Sequence, residues 1–295
     1  MSNNSWVSLF VALVKVKQLR SFGRRMLRKA GKPKQDGFES SAPRVLQRNI
    51  WMFWDKGLDQ APEIVKMCIN SWHEKNPSWT IRVLDKDTVS DYVTMPKLSS
   101  EMSIQSYSNL LRFRLLKEQG GVWADATAYC VKPLDEWLPM VAQRGFFAFF
   151  WTPETRWFTW PGYTREVATW FLAAEAGNTV MSEWEEYSFR YWEGRQKPHL
   201  YFWCQTLFEL LSYMRSPFRR ALSSVPKFGC HAPHLVHDCI IRERDVARVG
   251  EILDAGAAPV QKLRWQWDQD TDKLTLVKAL LQDDGLKTVK LSSTK

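Results

Sequence analysis

Short apolar runs alternate with amphipathic stretches along the first half of the chain. RNIWMFW at 48–54 is an aromatic-rich apolar run between polar residues, which predicts a buried strand. After Pro62, apolar positions repeat at helical spacing until Pro77, which predicts a helix that begins at a proline. TIRVLD at 80–85 predicts a second strand.

The same alternation continues to the middle of the chain. Residues 104–119 predict a helix that Gly120-Gly121 ends, and VWAD at 122–125 predicts a third strand. FFAFF at 146–150 predicts a further strand. Strands that alternate with helices in this way favour an α/β open sheet.

Helical patterns dominate the rest of the chain. Residues 164–193, interrupted near Gly177-Asn178, and residues 200–215 both predict helices. We therefore expect an α/β sheet flanked by helices, followed by a largely helical C-terminal portion.

Positive charge is concentrated at the N-terminal end. The chain has a net charge of +9 and 41 Lys and Arg, of which nine lie in residues 1–35 with no Asp or Glu among them. The rest of the chain therefore carries 32 basic residues against 32 acidic ones. A neutral body disfavours nucleic acid as a partner, although nucleic-acid binding through the basic segment is an alternative.

The basic segment follows a short apolar start. Residues 6–14 are apolar except for Ser8, a length below the roughly 20 residues that span a bilayer. The charges follow the apolar run, unlike those of a signal peptide, and the pattern favours an interfacial helix on an anionic membrane. An extension without a specific role is the alternative.

These features predict a location and a division of the chain. Five cysteines without a Cys-x-x-Cys pair favour reduced thiols in the cytoplasm. The expected location is therefore cytoplasmic, peripheral at the inner face of the plasma membrane. We divide the chain into a basic amphipathic segment at 1–35, a linker at 36–47 and one domain at 48–295.

Acidic residues follow each of the first three predicted strands, at Asp55, Asp85 and Asp125. In open α/β sheets, ligands bind outside the carboxyl ends of the strands. A carboxylate at such a strand end can hold Mn²⁺ or Mg²⁺ against a nucleotide diphosphate. The position two after Asp125 is Thr127 rather than a second aspartate, so an ordinary turn residue is the alternative.

Several stretches together resemble a known family. They are NIWMFWDKG, PEIVKMCINSWHEKNPSWTIRVLDKDTVSDYV, SYSNLLRFRLLKEQGGVWADAT, YFWCQTLFELL, APHLV and PVQKLRWQ, which occur in this order within residues 48–267. In this order they resemble the capsular polysaccharide synthesis protein family, which is similar to the yeast initiating mannosyltransferases and the clostridial toxin glucosyltransferases.

The resemblance implies the GT-A fold, an open twisted sheet flanked by helices. It also implies a glycosyltransferase that moves a sugar from a nucleotide diphosphate sugar to a glycan or lipid-linked acceptor. The pathway implied is capsular or surface polysaccharide biosynthesis, with retention of the anomeric configuration.

Site residues are also implied by the resemblance. The catalytic positions are Asp125, in the role of holding the metal and diphosphate, and Arg112, near the donor. The metal ion, Mn²⁺ or Mg²⁺, is assigned to Asp125, Thr127 and His234, although structural hydrogen bonding is an alternative for His234. Donor-binding positions are Trp51, Trp54, Asn109, Thr127 and Lys262. Core packing is an alternative for either tryptophan.

Three positions depart from the family pattern. Asn109 stands where an aspartate is expected, and Gln205 and Gln261 stand where histidines are expected. Either the chain uses a different donor, or its activity is weakened. A non-catalytic member that binds a nucleotide sugar or a glycan is the alternative function.

Two further stretches stay open to more than one interpretation. CHAPHLVHDC at 230–239 has the residue types of a zinc site without its usual spacing. WTPETRWFTWPGY at 151–163 is either an acceptor-stacking loop or a small aromatic cluster.

Overall fold

A computed structural model describes residues 44–151, 166–242 and 245–282. The predictions for the segment 1–35, for the linker up to residue 43 and for the loop 152–163 lie outside the described residues.

Eight strands are found in the described part of the chain. They are β1 Asn49–Phe53, β2 Thr80–Leu84, β3 Gly121–Ala124, β4 Ala128–Cys130, β5 Phe146–Phe150, β6 Val167–Ala174, β7 Phe228–Gly229 and β8 Val260–Lys262. Nine α-helices accompany them over the same residues. They are α1 Glu63–Lys75, α2 Ile104–Glu118, α3 Leu138–Val141, α4 Thr179–Trp192, α5 Trp203–Met214, α6 Ser216–Ser223, α7 Leu235–Arg242, α8 Val246–Asp254 and α9 Thr271–Leu281.

The main sheet has six strands in the order β2-β1-β3-β6-β5-β7. Strands β2, β1 and β3 are parallel, whereas β6 runs antiparallel to both β3 and β5. A separate two-stranded sheet pairs β4 with β8 in antiparallel fashion. The predicted α/β open sheet flanked by helices is confirmed.

The parallel register brings the predicted strand ends to one edge. Phe53 pairs with Leu84, and Trp51 pairs with Trp123, so β1, β2 and β3 end at the same level. The residues that follow these strands therefore meet at the edge where ligands of open sheets bind.

The prediction of a helix from residue 164 is wrong in its first part. Val167–Ala174 is the strand β6, buried at all eight positions between β3 and β5. A strand covered on both faces shows a continuous apolar run without alternation, which sequence periodicity does not distinguish from a buried helix. The helix α4 begins only at Thr179, after Asn178 accepts a hydrogen bond from the Val180 N–H.

Side chains of the sheet alternate between two apolar layers. Trp51, Phe53 and Trp123 pack in one layer with residues of α2, α4, α5 and α6. Ile50 and Met52 pack in the other layer, with residues of α1 and α3. This two-residue period buries β1 on both faces.

The C-terminal helices form a third apolar layer. Residues of α7, α8 and α9, together with Leu263 directly after β8, pack against one side of α1, at Ile64, Met67 and Cys68. The predicted helical C-terminal portion is thereby confirmed. Among the described residues, none of the helices has both the length and the apolar character that crossing a bilayer requires.

Gly120 and Gly121 allow a tight passage from α2 into β3. Both have positive φ, at 65° and 98°. A Cβ atom at Gly121 would lie 2.4 Å from the carbonyl oxygen of Asn49 on the neighbouring strand. The Gly120 carbonyl also accepts a hydrogen bond from the buried indole N–H of Trp51, at 2.9 Å. The glycines therefore fix the residue at which β3 begins, four residues before Asp125.

Replacement of Gly121 by alanine should strongly destabilise the fold. An alanine with positive φ costs about 1–2 kcal/mol, and its Cβ atom also clashes with the backbone. We therefore expect the unfolding free energy to fall by about 3 kcal/mol or more. Gly177→Ala is the matched control, because Gly177 has φ 74° with nothing within 4 Å of its Cβ position. Urea unfolding of both variants measures the difference; equal losses would contradict the close approach to Asn49.

Candidate functional site

A tight turn after β3 fixes the backbone of Asp125. The Asp125 N–H donates to the Trp170 carbonyl of β6 at 2.8 Å, and the Ala128 N–H donates to the Asp125 carbonyl at 2.7 Å. The side chain keeps 25% of its surface exposed. The carboxylate therefore lies at the carboxyl end of the parallel strands, as the sequence predicts, and stays accessible.

Both oxygens of the Asp125 carboxylate have a cationic partner. Oδ1 lies 3.2 Å from Nη2 of Arg112 and accepts a hydrogen bond from the Trp123 indole N–H at 3.0 Å. Oδ2 accepts a hydrogen bond from Nζ of Lys262 at 3.0 Å. We call Asp125, Arg112 and Lys262 the charged triad.

Arg112 is held rigidly within α2. Its Nε donates to the carbonyl of Ser108 at 3.1 Å, and its Nη2 donates to the Ser108 hydroxyl at 3.1 Å. Its Nη1 donates to the Thr169 carbonyl of β6, and its guanidinium lies 4.8 Å from the Trp123 ring centroid. A buried guanidinium with several fixed partners is preorganised to face an anion.

Lys262 reaches the site from a distant part of the sequence. Strand β8 pairs with β4 so that Lys262 lies opposite Ala128, directly after the Asp125 turn. The Leu263 N–H donates to the Thr127 carbonyl at 2.8 Å, which fixes this register. Nζ of Lys262 also donates to the Thr127 hydroxyl. Thr127 and Asp125 thus share one ammonium group.

The charged triad keeps Asp125 ionised. Burial alone would raise the pKa of this carboxyl, but the nearby charges of Lys262 and Arg112 and the hydrogen bond from Trp123 outweigh that effect. The pKa of Asp125 therefore lies below its usual range, and the site carries one negative and two positive charges at neutral pH.

The two candidate tryptophans of the first strand occupy different positions. Trp51 is 1% exposed, contacts Tyr92 edge to face and has its indole N–H bonded to Gly120, so it is a core residue. Trp54 is only partly buried and contacts the exposed ring of Trp265 at a centroid distance of 6.3 Å. Of this pair, Trp54 is the ring that keeps exposed surface.

His234 lies beside the site in a layer of aromatic rings. Its Nδ1 is 2.7 Å from the Cys230 carbonyl, and its ring contacts those of Trp151 and Trp170. Trp170 links it to the triad, because the carbonyl of the same residue accepts from the Asp125 N–H. One ring nitrogen of His234 therefore has a structural hydrogen-bond partner.

Within residues 44–151, 166–242 and 245–282, no three or more His, Cys, Asp or Glu side chains are grouped so that they could hold a metal ion. This includes the cysteines and histidines at 230–239.

The three departures from the family pattern have different surroundings. Gln261 is fully buried; its amide oxygen accepts from the Val236 N–H and its amide nitrogen donates to the Ala232 carbonyl. Gln205 bonds to the hydroxyl of Thr169, the residue whose carbonyl binds Arg112. Both glutamines therefore connect elements of the fold.

Asn109 differs from the two glutamines because, among the described residues, its side chain does not connect elements of the fold. It lies one helical turn before Arg112 on α2 and is only partly buried. In the described part of the chain, its side-chain amide makes no hydrogen bond. It keeps a donor and an acceptor for a ligand hydroxyl.

Two other strand-end aspartates behave differently from Asp125. Oδ1 of Asp85 accepts hydrogen bonds from the N–H and the hydroxyl of Thr88, at 2.9 and 2.8 Å. It therefore closes a local turn. Asp55 has a half-buried position after β1. Only Asp125, among these three, is paired with two cations.

Sequence analysis did not single out Trp123, Thr169 and Trp170 as site residues. Trp123 has a recognisable signal, because it precedes Asp125 by two positions and so shares its side of the strand. Thr169 and Trp170 have no such signal, because their strand has the apolar pattern of a buried helix.

The fold and the charged triad together define an α/β protein with a candidate site at the carboxyl ends of its parallel strands. The family described as "Capsular polysaccharide synthesis protein" matches residues 12–280. The chain belongs to this family, and the resemblance stated above is confirmed.

Curated relatives of the chain are fungal. Glycosyltransferase afumC of Aspergillus fumigatus is 27% identical over 180 residues, which are 50% of this chain and 41% of the relative. The initiation-specific alpha-1,6-mannosyltransferase of Candida albicans is 30% identical over 112 residues, 34% of this chain and 29% of that protein. The matches thus span less than half the length of these relatives.

Solved structures are similar to the chain as well, and one of them illustrates the likeness. PaToxG glycosyltransferase aligns with 17% identity and a TM-score of 0.38, over 62% of this chain and 75% of that chain.

Loss of the Asp125 charge should destabilise the fold. Asp125→Asn leaves the buried Arg112 without its counter-ion, so we expect a loss of about 1–3 kcal/mol in unfolding free energy at pH 7. Because the folded-state pKa lies below the unfolded value of about 3.9, the contribution is complete above that value. It is lost as the pH falls through the folded-state pKa.

Asp135 provides the matched control for this measurement. Its carboxylate also bonds to an arginine, Arg48, and to an indole N–H, that of Trp79, each at 3.0 Å, but it is 44% exposed. Asp135→Asn should therefore cost less than about 1 kcal/mol. Equal costs for the two variants in chemical denaturation would contradict the buried ion pair at Asp125.

Proposed function

We propose that this chain is a glycosyltransferase that moves a sugar from a nucleotide diphosphate sugar to a glycan or lipid-linked acceptor. The observation that carries the proposal is the charged triad at the carboxyl edge of the parallel strands. Membership of the family and the names of its curated relatives, which are glycosyltransferases, support it.

The reaction needs positive charge where the diphosphate leaves. The bond between the anomeric carbon and the diphosphate oxygen breaks, and its electron pair stays on the diphosphate. An acceptor hydroxyl forms the new bond to that carbon, and its proton passes to solvent. Arg112 and Lys262 supply fixed N–H donors and positive charge for the departing oxygen.

Other residues around the triad suit the remaining parts of a donor. Trp54 and Trp265 offer aromatic surface for stacking of a base, worth about 1–3 kcal/mol by analogy with other base-stacking sites. Asn109 has an amide free to bind a sugar or ribose hydroxyl. Retention of the anomeric configuration and a role in capsular or surface polysaccharide assembly are proposed from the family relationship.

Location at an anionic membrane surface is proposed from the sequence of residues 1–35. That segment combines nine basic residues with an apolar start, the combination that binds anionic lipid. A lipid-linked acceptor in the cytoplasmic leaflet would be reached from such a position.

Donor turnover tests the proposed function. The full chain should bind and hydrolyse at least one of UDP-glucose, UDP-galactose, UDP-N-acetylglucosamine and GDP-mannose, measured by release of UDP or GDP. Asp125→Ala should lower turnover by at least about 100-fold, because the two cations lose their common anchor. Asp135→Ala, with similar partners away from the site, should keep wild-type turnover.

Two results would change the proposed function. Binding of a nucleotide sugar without turnover, in the presence of simple sugar acceptors and of Mn²⁺, would favour the non-catalytic alternative. Absence of both binding and turnover for every donor would contradict a nucleotide-sugar site.

Vesicle sedimentation tests the proposed membrane contact. The full chain should sediment with vesicles that contain about 30% phosphatidylserine and much less with phosphatidylcholine alone, since each basic residue near an anionic surface contributes about 1 kcal/mol. A protein of residues 36–295 should stay in the supernatant. Equal sedimentation of the two proteins would contradict this role for residues 1–35.

A further inference from the structure

Lys262 occupies the place at which the sequence predicts a metal ion. The resemblance assigns Mn²⁺ or Mg²⁺ to Asp125, Thr127 and His234, of which the Asp125 carboxylate and the Thr127 hydroxyl are the oxygen ligands. Nζ of Lys262 is 3.0 Å from Oδ2 of Asp125 and donates to the Thr127 hydroxyl as well. The ammonium group therefore uses both of the oxygen atoms that were assigned to the ion.

The second carboxylate oxygen is also engaged. Oδ1 of Asp125 faces the guanidinium of Arg112 at 3.2 Å and accepts from the Trp123 indole at 3.0 Å. A divalent ion that bound this carboxylate would lie within a few ångströms of two cations that are already bonded to it. Like charges at that separation repel strongly in a partly buried site.

The number of ligands is not the objection to a metal ion. Mg²⁺ is commonly held by one or two carboxylates together with substrate phosphates. The objection is the chemistry of the neighbours, because the lone pairs that a metal would need accept hydrogen bonds from an ammonium, a guanidinium and an indole. The residues present do not fit a resident divalent ion.

Lys262 is held in this position by the fold. Its strand β8 is paired to β4, and the Leu263 N–H is bonded to the Thr127 carbonyl at 2.8 Å. The backbone segments that carry the ammonium and the carboxylate are therefore hydrogen-bonded to each other beside this contact. A diphosphate that approached the exposed side of Asp125 would meet the Lys262 ammonium.

We propose that the chain binds and uses its nucleotide diphosphate donor without a divalent metal ion, and that Lys262 with Arg112 supplies the charge that a metal ion would bring. This inference rests on the proposed function. Lys262 and Arg112 contact the oxygen that keeps the electron pair of the broken bond to the anomeric carbon. Asp125 is then a positioning residue that holds the two cations apart and in place.

Titration calorimetry with UDP and GDP in the presence of EDTA or Mn²⁺ tests the inference on the full chain. Wild-type protein should bind one of these nucleotides with a Kd that changes less than about threefold between the two conditions. Lys262→Met should bind it about 10- to 100-fold more weakly in EDTA, the size expected for loss of charge-assisted hydrogen bonds. Lys262→Arg, which keeps the charge, should retain most of the affinity.

Manganese should leave the affinity of the wild type nearly unchanged and raise that of the methionine variant. Because Lys262→Met frees an oxygen of Asp125 and the hydroxyl of Thr127, Mn²⁺ should restore at least about tenfold of the lost affinity. The control is Lys117→Met, which removes another ammonium–carboxylate contact, that with Glu185 at 2.7 Å, outside the site. It should leave binding unchanged with and without Mn²⁺.

Turnover in EDTA tests the positioning role of Asp125. Wild-type protein should hydrolyse its donor in EDTA, and Asp125→Asn should lower kcat at least about tenfold there. If Asp125 served only as a metal ligand, neither protein would turn over without metal. If Lys262→Met did not fold, the metal response of the wild type and of Lys262→Arg would still decide the question.

The outcomes separate this inference from the proposed function. One outcome is that the wild type loses affinity or turnover at least about tenfold in EDTA and recovers it with Mn²⁺. That result would be consistent with the glycosyltransferase function but would overturn the metal-independent site. The metal-independent site is also overturned if Lys262→Met binds the nucleotide in EDTA as tightly as the wild type does. Failure to bind any nucleotide diphosphate or nucleotide sugar in either condition rejects the proposed function and this inference together.

Discussion

The ion pairs of Asp125 connect three parts of the chain that are far apart in sequence. The carboxylate follows β3, Arg112 comes from α2 and Lys262 comes from β8, 137 residues later. The triad combines one partly exposed negative charge with two positive charges. Its net charge is therefore positive, at the carboxyl edge of the parallel strands. The proposed use of a diphosphate donor depends on this positive charge, since a diphosphate brings the opposite charge.

The rest of the fold places the three charges. Gly120 and Gly121 let β3 begin directly after α2, so the helix that carries Arg112 and the strand that precedes Asp125 are fixed to each other. Strand β6, buried throughout, supplies the carbonyls of Thr169 and Trp170 that bind Arg112 and the Asp125 backbone. The C-terminal layer packs on α1 and brings β8 beside β4. Each layer thus contributes to one side of the charged triad.

Local sequence patterns predict most of the helices and strands near the site, but not the strand pairing that brings Lys262 to Asp125. Apolar runs and glycine stops locate β1, β2, β3 and α2 to within two residues, and strand order places Asp125 at the ligand edge. Strand β6 is mistaken for a helix because burial on both faces removes alternation. The contact of Lys262 with Asp125 depends on the pairing of β8 with β4, which no local pattern encodes. The resemblance implies Lys262 as a donor contact that adds charge beside Arg112, but it does not imply that Lys262 pairs with Asp125.

The triad also changes how the family pattern is understood in this chain. Gln261 and Gln205 differ from the expected histidines, yet both have structural hydrogen bonds. Neither substitution by itself argues for a weakened enzyme. Lys262 follows the family pattern, and its ammonium group bears on the chemistry because it holds Asp125 and Thr127 together at the position assigned to a metal ion.

The central claim is that cations of the chain itself meet the donor diphosphate. A crystal structure of the full chain with UDP or GDP, grown in the presence of MnCl₂, tests it most directly. The account predicts the terminal phosphate within hydrogen-bonding distance of Lys262 Nζ and of the Arg112 guanidinium, with Asp125 still bonded to both. A manganese ion bound by Asp125 between the carboxylate and the phosphates, with Lys262 displaced, would contradict it.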